Sequence, residues 1–173
     1  KANAYGHNIS LIAPLLAQSG IRDFGVATLA EALYLQELLR RSEYDRILIL
    51  GAQTPQIYAQ IIAQDIDFIL HTPEDLTQIE AAAKVQNKQA RIHLKIDTGM
   101  GRVGVQPKEV PAVLNALEAS CHIKLMGICS HLATSDETNS NYLKQQLACF
   151  QKIKQLFLVH PLRQSHQPLF HLA

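Results

Sequence analysis

Two lysines stand where a primary amine could do covalent chemistry: Lys1, at the head of KANAYGHN, and Lys95, inside HLKIDTGMGRVGV. Lys95 falls where the hydrophobic rhythm ends a strand, and Lys1 precedes a helix in the same way as the strand ends do. An ammonium at such a place is costly to bury unless its pKa falls, it gains a counter-charge, or it is used covalently. The simpler alternatives are an ion pair with Asp97 or an exposed edge side chain for Lys95, and a surface residue at a cut chain end for Lys1. Between Lys95 and Val105, Gly99, Gly101 and Gly104 surround a single arginine, Arg102. Glycine permits positive φ and close backbone approach, so this loop is of the kind that brings a guanidinium over a ligand; a plain turn with a solvated arginine is the alternative.

His71, His131 and His171 also close strands in this reading. None has an HxH or HExxH spacing, so hydrogen bonding or stacking is expected of them and a metal site is not. Asp136 and Glu137 read as a solvated loop before the next helix, and no GxSxG pattern supports a Ser-His-Asp hydrolase. Two strand-end lysines, a glycine-rich arginine loop and a histidine-lined mouth suit Schiff-base chemistry on a carbonyl or on an aldehyde cofactor.

These residues must be positioned by elements of two alternating kinds. Short apolar runs predict strands at 24–28, 47–52, 67–71, 90–97, 125–131 and 169–173. Apolar residues recurring three and four apart predict helices at 8–19, 29–41, 54–64, 73–86, 107–119 and 139–158. Start signals are Asn8, Thr54 before Pro55, and Thr72 before Pro73 with Asp75 in the first turn. Runs such as ILIL are apolar at every position, as in a parallel sheet covered on both faces. That leaves a doubly wound open sheet or a (β/α)8 barrel. Polar residues closing strand after strand (Thr28, His71, Lys95 with Asp97, His131, His171) favour the barrel, and Lys1 reads as the end of a further strand whose body was cut away. Seven strand ends would then be present or implied.

The chain has 173 residues, short for a closed eight-unit barrel of about 250 residues. Sixteen Lys and Arg against fifteen Asp and Glu give a net charge of +1, which indicates neither a nucleic-acid partner nor an anionic membrane surface. A small-molecule partner fits better. No apolar run reaches the ~20 residues needed to span a bilayer. Cys121, Cys129 and Cys149 are odd in number and lack CxxC spacing, which points to free thiols in a reducing compartment, the cytoplasm.

KANAYGHN resembles the pyridoxal-phosphate lysine motif of the alanine racemases, HLKIDTGMGRVGV their second signature and SHLATSDE their third. FGVATLAEAL, ILILGA and the closing FHLA are similar to that family's barrel in order and spacing. The resemblance covers essentially the whole chain. It implies that Lys1 binds pyridoxal 5'-phosphate covalently and is one of two bases exchanging the substrate's α-proton. Tyr5 would bind the cofactor phosphate, and Arg102 would donate to its phenolic oxygen. Lys95 resembles a lysine often carbamylated in the family, where the new negative group holds that arginine. His131 resembles the histidine packed against the pyridine ring, and His171 one that supports the network beneath it.

The resemblance further implies interconversion of L- and D-alanine, supplying D-alanine for peptidoglycan, in a head-to-tail homodimer. The second base would be a tyrosine from a separate C-terminal β domain with no counterpart in these residues. The expectation is therefore that residues 1–173 are an internal fragment of the barrel domain, unable to racemise alanine alone and prone to aggregate through its unpaired edges. The competing readings are a serine or broad-specificity racemase, a pyridoxal-phosphate-binding barrel without racemase activity, and a Schiff-base aldolase using Lys95.

Overall fold

The computed structural model describes residues 1–137 and 139–173. Six strands, β1 (Asp23–Val26), β2 (Arg46–Ile49), β3 (Asp67–Leu70), β4 (Ala90–Ile96), β5 (Ile123–Ser130) and β6 (Leu169–Leu172), form one sheet in the order of the chain. Every neighbouring pair is parallel. Between them lie α2 (Leu29–Leu38), α3 (Pro55–Ala63), α4 (Asp75–Val85), α5 (Val110–Ala119) and α6 (Asn141–Val159), with α1 (Ile9–Gln18) ahead of β1.

This order separates the two architectures the sequence left open. A doubly wound sheet reverses its strand order at a switch point, whereas here each strand adds beside its predecessor. Right-handed crossovers then put every connecting helix on the same side of the sheet. The result is a curled, incomplete (β/α) barrel in which β1 pairs only with β2 and β6 only with β5 among the described residues.

The strands behave as their composition requires. All four residues of β3 are buried, and Ile49, Phe68, Leu70, Ile92, Leu94 and Ile96 are essentially inaccessible to solvent. Tyr58 of α3 stacks on Phe68 with ring centroids 5.5 Å apart, joining the helical layer to the sheet. Among the described residues no helix is long and apolar enough to cross a membrane.

Helix starts follow local chemistry. Asn8 caps α1 by accepting from Ser10 N. Thr28 and Glu31 form a reciprocal capping box on α2, placing Thr28 beyond β1 instead of within it. Two predicted starts move. The 73–86 helix begins at Asp75, because Thr72 Oγ1 accepts from Glu74 N and holds residues 72–74 in a turn. The 107–119 helix opens with a 3-10 turn, Pro107–Glu109, before α5. A short 3-10 segment, Arg41–Glu43, likewise follows α2, which ends at Leu38. Lys1 precedes a short left-handed turn, Ala2–Tyr5.

Candidate active site

That turn is the most unusual local structure in the chain. Ala2, Asn3, Ala4 and Tyr5 have φ of 45°, 54°, 56° and 56°, a left-handed helical turn. Such geometry costs L-residues roughly 1–2 kcal/mol each. Tyr5 N donates to Lys1 O at 2.9 Å and Gly6 N to Ala2 O at 3.0 Å, while Asn3 Oδ1 accepts from Ile9 N at 2.8 Å, tying the turn to the start of α1. Strain sustained over four residues marks a place where position matters more than local stability.

The segment after β4 folds back on the strand that carries it. Val105 N donates to Lys95 O at 2.8 Å and Asp97 N to Val105 O at 3.0 Å. Gly104 makes this close approach possible: its φ is +141°, and a Cβ there would lie 2.6 Å from Asp97 N. Asp97 does not pair with Lys95. Its Oδ1 accepts from Gly99 N and Gly101 N, both at 3.0 Å, and so shapes the loop from which Arg102 projects.

His131 is positioned from behind by Gln146 of α6, a fully buried amide that the sequence reading did not single out. Gln146 donates to His131 O at 3.2 Å and accepts from Ala133 N at 2.9 Å. Ser130 Oγ donates to Ile96 O at 2.8 Å, joining the ends of β4 and β5.

Lys1, Lys95, Arg102, His131 and His171 line one cavity of ≈ 270 Å³ at the C-terminal ends of the strands. Among the described residues its lining includes no aspartate or glutamate. Sheet register sets part of this convergence, since Lys95, Cys129 and His171 form a continuous rung across β4, β5 and β6. Burial, then the charges of Arg102 and Lys1, lower the pKa of Lys95 from its ordinary value despite the opposing influence of Cys129 and Asp97. His131 is lowered by burial and by the same three cations. Cys129 is pushed up to about 11, chiefly by burial. The cavity is thus a cluster of positive groups around a half-buried amine, suited to an anionic ligand that bears a carbonyl.

Not every candidate converges here. Tyr5 is 74% exposed and lines a separate apolar groove between the left-handed turn, α1 and β1. His71 faces Asp75, with Nδ1 3.8 Å from Oδ2. Beneath the cavity His171 joins a network whose other members are absent from the candidate set. His171 Nε2 is 2.9 Å from His93 Nδ1, His93 Nε2 is 3.1 Å from Asp67 Oδ2, and Asp67 is flanked by Arg46 and Arg91. His171 is pushed down to about 4, first by burial and then by its neighbours His93, Arg46 and Lys95. Strand alternation signalled part of this, because His93 lies two residues from Lys95 on the same strand.

Fold and site together define a (β/α)-barrel protein with an amine-lined, cationic cavity at its strand C-termini. The full chain, residues 1–173, matches the family model described as alanine racemase, N-terminal domain, and the chain belongs to that family. An alanine racemase from Geobacter sulfurreducens is 39% identical over 142 residues, covering 82% of this chain and 36% of the relative. Among solved structures, alanine racemase from Clostridium difficile 630 superposes with a TM-score of 0.86 at 27% identity, covering 99% of this chain and 43% of that one. Alanine racemase from Bartonella henselae with covalently bound pyridoxal phosphate gives 0.82 at 26% identity, covering 99% and 47%. A histidine racemase from Leuconostoc mesenteroides subsp. sake gives 0.85 at 25% identity, covering 99% and 44%. The chain therefore spans less than half the length of these proteins.

Proposed function

We propose that the chain is the cofactor-holding part of a pyridoxal-phosphate-dependent amino-acid racemase acting on alanine. The observation that carries this reading is the convergence of Lys1, Lys95, Arg102 and His131 on a cavity lined, among the described residues, by no Asp or Glu side chain. That donor set fits the group: a primary amine for its aldehyde and cations for its anionic oxygens. When bound, pyridoxal phosphate makes the substrate's α-hydrogen acidic by accepting the electron pair into its conjugated ring.

The protein's part is to hold, orient and move one proton. Lys1 would be the amine that carries the cofactor and the base on one face of the α-carbon. Arg102, on the loop organised by Asp97, would donate to the cofactor's phenolic oxygen. Lys95, with a lowered pKa, offers a larger neutral fraction for carbamylation, and the resulting anion would hold Arg102. His131 would pack against the ring, and His171 would support the network beneath it. Tyr5, which the resemblance assigns to the cofactor phosphate, lies in the neighbouring groove with its side chain exposed and would have to turn toward the cavity to take that role. Racemisation needs a second base on the opposite face, which the family resemblance assigns to a tyrosine of a C-terminal domain across a head-to-tail homodimer. The cytoplasm, with D-alanine supplied to peptidoglycan, is the setting this reading implies.

The barrel is equally similar in shape to a histidine racemase, so the substrate's side chain is a separate question. The test uses the full-length protein. Borohydride reduction followed by peptide mapping should label Lys1, and L-alanine should lose optical rotation faster than L-serine or L-histidine. Label on Lys95 instead would indicate an aldolase, and preference for another amino acid would reassign the substrate.

A further inference from the structure

The Asp67 network beneath the cavity is a chain of hydrogen bonds whose proton positions can be read from one end. Asp67 is completely buried. Its Oδ1 accepts from Arg91 Nε, and its Oδ2 faces Arg46 Nε at 3.4 Å. A carboxylate between two guanidiniums only accepts, so His93 Nε2, 3.1 Å from Oδ2, must carry a proton. A second proton on His93 would set three positive charges against a single negative one in a buried space. His93 is therefore neutral, and its Nδ1 is an acceptor. His171 Nε2, 2.9 Å away, must then be the donor, which leaves His171 Nδ1 with a lone pair on a ring that lines the cavity. Burial disfavours a second proton on His171 as well.

The backbone is arranged to permit this contact. His93 sits opposite Gly127 just after a register shift between Ile92 and His93. A Cβ on Gly127 would lie 2.1 Å from His93 Nδ1, so a side chain there would close the path from His93 to His171. The two rings meet edge to face, with centroids 5.1 Å apart.

We propose that Asp67 and His93 are positioning residues that hold His171 as its Nε2–H tautomer, so that the cavity offers an acceptor at His171 Nδ1 and selects an N–H donor as its neighbour. The consequence for turnover rests on the racemase reading; the tautomer assignment does not. Long-range proton–nitrogen spectra of full-length protein labelled with ¹⁵N-histidine read the tautomer directly. At neutral pH, His171 should show a protonated Nε2 and a pyridine-type Nδ1. In Asp67→Asn, the amide carbonyl remains with Arg91 and its NH2 faces His93 Nε2. The relay should then reverse, with Nδ1 protonated on both His93 and His171.

Turnover should fall, with a smaller change in KM. A protonated His171 Nδ1 in the unmodified protein, or a folded Asp67→Asn variant with its tautomers unchanged, overturns the proposal. If that variant does not fold, the unmodified spectrum still decides. Failure to label Lys1 with borohydride would remove the racemase reading while leaving this result intact.

Discussion

Gly101 and Gly104 lie in the same loop, three residues apart, yet alanine at the two positions should behave differently. At Gly101, φ is +69° and nothing lies within 4 Å of the added Cβ. The cost is the left-handed backbone alone, about 1 kcal/mol. At Gly104, φ is +141°, and the added Cβ would meet Asp97 N at 2.6 Å, Ile96 C at 2.8 Å and Lys95 O at 3.1 Å. These are backbone atoms of a central strand, so the loop must move instead. Moving it breaks the bonds between Val105 N and Lys95 O and between Asp97 N and Val105 O. Those bonds contribute about 1 kcal/mol each, and backbone strain adds roughly 1–3 kcal/mol. The expected cost is about 3–5 kcal/mol, borne locally by the loop that carries Arg102. Native-state hydrogen exchange at the Asp97 and Val105 amides of the full-length protein measures it. Gly104→Ala should accelerate exchange by a factor on the order of a hundred or more relative to Gly101→Ala. Equal protection in the two variants, or greater loss in Gly101→Ala, would refute the close-approach argument.

Three further outcomes follow from the site's electrostatics and burial. The folded pKa of His171, about 4, lies below its ordinary 6.5, so between these values the unfolded chain binds the extra proton and the folded chain does not. His171 therefore contributes a loss of stability as pH falls from about 6.5 toward 4, and His171→Gln should flatten that part of the urea-midpoint profile; an unchanged profile would count against the assigned shift. Competitive acylation across a pH series should give Lys95 a half-maximum below the ordinary lysine value of 10.5, because burial, Arg102 and Lys1 disfavour its charged form; a midpoint at or above that value would contradict the environment described. Iodoacetamide at mildly alkaline pH should alkylate exposed Cys121 and spare Cys129, which is buried with its thiol pushed up to about 11; rapid modification of Cys129 in folded protein would be incompatible with that burial.

Much of the architecture is legible in local pattern because it is built from local rules. Wholly apolar runs became buried parallel strands, and Asn8 and Thr54 stand immediately before the helices they were read to open. Where boundaries moved, a competing short-range bond was responsible, as with the Thr72 hydroxyl holding residues 72–74 in a turn. Chemistry was legible where a residue's type is rare for its place. Lys1, Lys95, Arg102, His131 and His171 were all singled out, and all line the same cavity.

The motifs and the strand–helix alternation were determined by sequence alone, since amine chemistry, glycine freedom and hydrophobic periodicity are properties of residues and their nearest neighbours. Tertiary structure decided what depended on distant partners. Strand order chose the barrel over the open sheet, and register aligned Lys95 with Cys129 and His171. Folding also gave Asp97 to the loop glycines instead of Lys95, and joined Asp67, His93 and His171 across 104 residues of chain, from position 67 to position 171. No spacing rule in the sequence encodes such contacts, because each exists only where strands far apart along the chain become neighbours in the sheet.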